Sequence, residues 1–96
     1  MREGPSPRPG SDDPVARGMR RTFGANVRAA RRALGLSQTD LARQVGTDQT
    51  DISEIERGTR NFTINTAVAI AGAVHADVKE LLTDRGEQPE EEPSRV

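Results

Sequence analysis

Apolar residues recur at helical spacing in five separate runs through the middle of the chain. Phe23, Val27, Ala30 and Leu34 share one stripe, which predicts a first helix from about Met19 to Leu34. Ser37, with Asp40 three residues on, is a carboxylate version of the capping box, and Leu41, Ala42 and Val45 give the short helix behind it one apolar face. Gly46 supplies the positive φ that stops that helix and turns the chain sharply. Asp48 then caps a third helix, with Asp51 in its first turn and Ile52 and Ile55 pointing inward. Thr63 is the expected N-cap of a fourth helix running to about Val74, striped by Ile64, Ala67, Ile70, Ala71 and Val74. Asp77 and Glu80 form a capping box for a fifth, whose Val78, Leu81 and Leu82 must be buried in the domain or in a dimer. The expected fold is all-α, a compact bundle of five helices.

The second and third of these helices, joined by a glycine-centred turn, have the shape of a helix-turn-helix. With Ile52 and Ile55 turned inward, Gln49, Thr50, Ser53, Glu54 and Arg57 lie on the opposite face. An outward row of hydrogen-bonding side chains is what reading base edges requires. One residue of the first helix breaks the pattern. Arg31 falls on the apolar stripe between Ala30 and Leu34, where an unpaired guanidinium is costly, so it needs a carboxylate partner.

From Phe23 to Leu82 the chain resembles the lambda-repressor and Cro-like (XRE-type) helix-turn-helix domains, the broad class of five-helix bacterial and phage regulators. The resemblance rests on L-G-L-S-Q-x-x-L-A (Leu34 to Ala42), the glycine of the turn, and I-S-E-I-E-R-G-T-R-N (Ile52 to Asn61), in that order and spacing. The stretch I-E-R-G-T-R-N-F-T-I also looks like the small controller proteins of restriction-modification systems, in which such a domain stands alone as an autoregulating switch.

The resemblance implies a sequence-specific transcriptional regulator, a repressor or controller, whose third helix enters the major groove of double-stranded DNA. Gln49 at its tip would bond bidentately to adenine, braced by Gln38; Thr50 offers a methyl to thymine and a hydroxyl to a base or phosphate, and Ser53 can contact either. Glu54 could accept from cytosine N4, or stay a solvated carboxylate that weakens binding. Arg57, Arg60, Asn61 and Thr63 are the expected backbone contacts. The partner it implies for Arg31 is Glu56, beside core Ile55, in a structural ion pair. One recognition helix reads only a few base pairs, so a homodimer on a pseudo-palindromic operator is expected, with apolar Val78, Leu81 and Leu82 at the interface, while Asp48 and Asp51 could meet an RNA polymerase subunit in an activator. Many relatives carry a proline where Phe62 stands and a leucine where Ala67 stands, so the smaller Ala67 should leave room for Phe62. The family usually has a glycine ending the fourth helix where His75 stands, and histidine tolerates the left-handed conformation better than most residues.

The net charge of −1 argues at first against a polyanionic partner. It is an average over unlike segments: residues 20–60 hold eight arginines against five acids, whereas residues 84–96 hold two against five. The motif region is the basic part, as an electrostatic footprint should be, and the modest excess predicts moderate, salt-sensitive affinity. Four of the six prolines fall in residues 1–18, read as a flexible arm that is either a plain leader or lays Arg8 or Arg17 on the DNA; residues 19–83 form the domain and 84–96 an acidic disordered tail.

About sixty folding residues without a cysteine make a marginal core, for which a partner subunit is a natural source of extra burial. The absence of cysteine, of a membrane-length apolar run and of a secretory signal leads to the expectation of a cytoplasmic protein with no membrane partner. With a single histidine at a helix end, no glycine-rich phosphate loop and no metal-ligand cluster, neither an enzyme nor a cofactor or metal is expected. The competing reading is a protein-interaction module that keeps the fold and offers its acids to a basic partner.

Overall fold

The computed structural model describes residues 13–84, and within them the chain forms five α-helices: α1 (Pro14–Ala33), α2 (Gln38–Val45), α3 (Gln49–Arg57), α4 (Ile64–Ala73) and α5 (Val78–Leu82). Most of the arm and tail assigned from the sequence, residues 1–12 and 85–96, lie outside the described residues.

The first helix begins earlier than its apolar stripe suggests. Asp13 accepts from the backbone N–H of Val15 at 2.8 Å, and Pro14 occupies the first helical position, where a missing N–H costs nothing. Residues 14–18, expected to belong to the flexible arm, are therefore helical. At the other end Leu34 is the C-cap and is 43% exposed, not buried as expected. The chain turns away at Gly35, whose φ is +73°, so Leu34 follows the turn rather than the stripe.

The core draws on every helix: Phe23 and Val27 from α1, Leu41 and Ala42 from α2, Ile52 and Ile55 from α3, Ala67, Ile70 and Ala71 from α4, Val74 just beyond it, and Leu81 from α5. Each large aliphatic or aromatic side chain removed from water in this way stabilises the fold by about 1.5–3 kcal/mol. Phe62 packs against this core with its ring 4.5 Å from that of Phe23, and Ala67 on α4 is fully buried in the same core. Ile64 departs from the expected stripe. It is 71% exposed, because it sits at the first position of α4, and the helix meets the core only from Ala67 onward.

Two connections set the helix directions. Gly46 (φ +87°) closes α2, with its own N–H and that of Thr47 both donating to the Ala42 carbonyl at 2.9 Å, and Asp48 accepts from Asp51 N–H at 3.0 Å to start α3. His75 (φ +59°) takes the left-handed conformation after α4, as its position predicts. Asn26 on α1 then ties down the short last helix, donating its side-chain amide to the carbonyls of Leu81 (2.9 Å) and Thr83 (3.1 Å). Leu81 itself is buried in the core of its own chain and is not part of a free apolar surface; Val78 and Leu82 are half-buried beside it. None of the helices among the described residues is long and apolar enough to cross a membrane.

Candidate DNA interface

The helix α1 lies across α3 at unusually close range, and a glycine allows it. A Cβ on Gly24 would stand 2.2 Å from the Ile55 carbonyl oxygen and 2.6 Å from that of Glu56. Gly24 lies seven residues before Arg31 on the same face, so it sits on the stripe that carries the buried arginine. Sequence reasoning missed it, although a glycine in register with Val27 and Arg31 was a signal of close backbone approach.

This contact places Arg31 against Glu56. Arg31 Nε donates to Glu56 Oε2 at 2.6 Å and Nη2 to Oε1 at 3.0 Å, while Nη1 donates to the Leu36 carbonyl at 2.8 Å. Both residues are about 8% exposed, and the hydrogen bond to Glu56 raises the arginine's pKa against the opposing effect of burial. The expected pair therefore forms. The Leu36 carbonyl had no sequence signal, since every residue carries one.

Glu56 is also the start of a relay to the surface. Gln38, the first residue of α2, donates its amide to Glu56 Oε1 at 3.0 Å. Its own carbonyl oxygen accepts from Gln49 Nε2, at the first position of α3, at 2.6 Å. A carboxylate can only accept, so Glu56 fixes which end of the Gln38 amide faces it, and Gln38 in turn fixes Gln49. Gln49 is left exposed with its carbonyl oxygen and one N–H unused by this relay, the donor–acceptor pair that adenine N7 and N6 require.

Along the rest of α3, Thr50 is exposed and Ser53 and Glu54 are half-buried. Arg57 Nη1 donates to Ser53 Oγ at 2.7 Å, so these two expected DNA contacts also hold each other. Arg60, expected on the DNA backbone, is turned toward α3 instead: its Nε reaches Glu54 Oε1 at 2.9 Å and its Nη2 reaches Asp51 Oδ1 at 2.8 Å. The bond to Glu54 and then the charge of Asp51 raise its pKa. Asp51 additionally accepts from the Thr47 hydroxyl. The proximity of Arg60 to these acids was invisible in the sequence, because it depends on how the loop after Gly58 (φ +77°) folds back. Asn61 is exposed, and Thr63 uses its hydroxyl oxygen to cap α4 through Thr66 N–H at 3.0 Å. Val78 and Leu82 lie on α5, which packs on α1 and α4.

The geometry is that of two short helices set around a turn, with a braced polar side chain at the tip of the second. Comparison with known proteins agrees with it. The helix-turn-helix family model HTH_3 matches residues 27–81. Among solved structures, the restriction-modification controller protein C.AhdI from Aeromonas hydrophila is 34% identical, with 68% of this chain covering 94% of that one at a TM-score of 0.63. The hypothetical transcription factor NHTF from Neisseria is 33% identical over 70% of this chain and 75% of its own, with a TM-score of 0.67. The clp gene regulator ClgR from Corynebacterium glutamicum is 26% identical over 67% of this chain and 68% of its own, with a TM-score of 0.64. Comparison with curated protein sequences finds no match. With the family model spanning more than half of the chain and regulators sharing its fold, this protein belongs to the HTH_3 helix-turn-helix family of DNA-binding proteins.

Proposed function

We propose that this chain is a sequence-specific transcriptional regulator that places α3 in the major groove and acts as a cytoplasmic, autoregulating controller of the restriction-modification type. The observation that carries the reading is the relay Arg31–Glu56–Gln38–Gln49, which runs from the core to an exposed amide and presets it for an adenine edge. Gln49 reads that base, Gln38 braces it, and Thr50, Ser53 and Glu54 complete the base-facing row. Arg57, Asn61 and the start of α4 at Thr63 lie where the duplex backbone would pass. The controller reading is supported by size: the matched part of this chain spans 94% of C.AhdI.

The working form is a two-fold dimer on a pseudo-palindrome, since one recognition helix reads only a few base pairs. Half-site centres then lie about 34 Å, or about 10 base pairs, apart. With Leu81 taken by the core, Val78 and Leu82 are the residues of α5 left for the interface. With Asp51 held by Arg60 and the Thr47 hydroxyl, exposed Asp48 is the acid left to meet RNA polymerase should the protein activate. A protein-interaction module would need its reading-helix acids free for a basic partner, and Arg60 already holds two of them.

Selection of bound duplexes from a random pool, followed by footprinting and light scattering, tests this reading. A two-fold symmetric consensus protected by a dimer is the expected result. A chain that enriches no sequence, or that stays monomeric at tens of micromolar and binds one half-site as tightly as two, would overturn it.

A further inference from the structure

The recognition helix carries Asp51 and Glu54 toward the side that would face a polyanion, and a single guanidinium joins them. Arg60 bonds Glu54 through Nε at 2.9 Å and Asp51 through Nη2 at 2.8 Å. The Thr47 hydroxyl holds Asp51 from the other side. An arginine that clamps a phosphate points its fork outward with its donors free. Here two of the donors point back along α3.

The consequence for Glu54 is directional. Its Oε1 is taken by Arg60, its Oε2 has no hydrogen-bond partner among the described residues, and its side chain is 34% exposed. A carboxylate oxygen in this state accepts from one fixed side. In the major groove only the amino groups of cytosine N4 and adenine N6 can donate to it, whereas guanine O6 and N7 and thymine O4 are acceptors and repel it. A mobile Glu54 would instead pay the electrostatic cost of facing phosphates without gaining a base.

We infer that Arg60 is a specificity-determining positioning residue: it holds Glu54 as an acceptor for a base amino group and offsets the acidic charge of α3, and it is not a phosphate contact. This rests on the reading of α3 as the groove helix, and it reverses the backbone role that the sequence suggested for Arg60.

The test uses the full chain and the duplex it selects, with single-base variants of that duplex and a random duplex of equal length. Affinities are measured for wild type, Arg60→Ala, Arg60→Gln, Glu54→Ala and the Arg60→Ala, Glu54→Ala double variant over a range of salt. The Arg60 variants are expected to lose about tenfold or more on the selected duplex and no more than about threefold on the random one. Their lost preference falls at the same base pair as that of Glu54→Ala, and the double variant loses no more there than Glu54→Ala alone. The slope of log affinity against log salt stays unchanged, because no counterion is released at Arg60. Equal losses on both duplexes with a slope shallower by about one would make Arg60 a phosphate contact and overturn the proposal. So would a Glu54→Ala variant with unaltered base preference. A wild-type chain that selects no duplex at all would remove the reading of α3 itself, a distinct failure that takes this inference with it.

Discussion

Arg31 and Glu56, 25 residues apart in sequence, form a two-pronged ion pair between α1 and α3 with almost no exposure to water. Removing one partner strands the other in the core. Glu56→Ala is expected to destabilise the protein by roughly 3–5 kcal/mol, seen as a lower denaturant midpoint at unchanged slope. Arg31→Met in the same background should recover part of the loss, since replacing both charges with apolar atoms lifts the desolvation cost. A midpoint that does not move in the single variant would show that the pair contributes nothing.

The same carboxylate steers the surface. Gln49→Ala is expected to lose about 1–3 kcal/mol of discrimination at one A·T pair of each half-site. Gln38→Ala should loosen preference at that same pair while leaving contact with it possible, because the Gln49 amide is then free to rotate. Selection with each variant separates the roles. Different base pairs affected by the two changes would contradict the relay.

Gly24 permits the helix contact on which both depend. In Gly24→Ala the added carbon would meet the Ile55 and Glu56 carbonyl oxygens at 2.2 and 2.6 Å, and these are backbone atoms that cannot swing aside. A loss of about 1–3 kcal/mol or more in thermal or denaturant unfolding is expected. Gly18→Ala is the control, because it lies in the same helix with no atom within 4 Å of the added carbon, and it should be neutral or stabilising. Equal melting temperatures for the two variants would refute the close approach.

Acid should weaken the start of α2. The Asp40 carboxylate accepts from the Ser37 backbone N–H at 2.9 Å, and this bond, followed by the interaction with the Ser37 side chain, holds its pKa below the usual carboxylate value. A depressed folded-state pKa means that the contribution is fully present above the unfolded value of about 3.9 and is lost as pH falls through the lower folded value. Asp40→Asn should therefore be less stable than wild type near pH 7, with the gap closing as the pH is lowered past that window. A gap that stays constant from pH 7 to pH 2 would rule out the linkage.

The local elements were legible because their causes are local. Ser37, Asp48 and Thr63 cap the helices they were expected to cap, and Gly46 and His75 adopt the positive φ that ends them. Where a side chain's environment depends on what lies beyond its own helix, the pattern misled. Leu34 and Ile64 fit their stripes by spacing yet stand in solvent, since each sits at a helix end that overhangs the core. Asp13 caps α1 a turn or more before the apolar stripe begins, so the stripe alone does not reveal it.

The sequence by itself determined the five helices apart from the start of α1, the turn, the family and the need of Arg31 for a partner, all of which follow from residue type at fixed spacing. Tertiary structure alone decided the connections between helices. Gly24 brought two backbones into contact, Glu56 passed its geometry through Gln38 to Gln49, Asn26 fastened the end of α5, and the loop after Gly58 returned Arg60 to Asp51 and Glu54. Hydrogen bonds and ion pairs act over about 3 Å, and which groups come within that distance is set by the packing of the whole bundle rather than by separation along the chain.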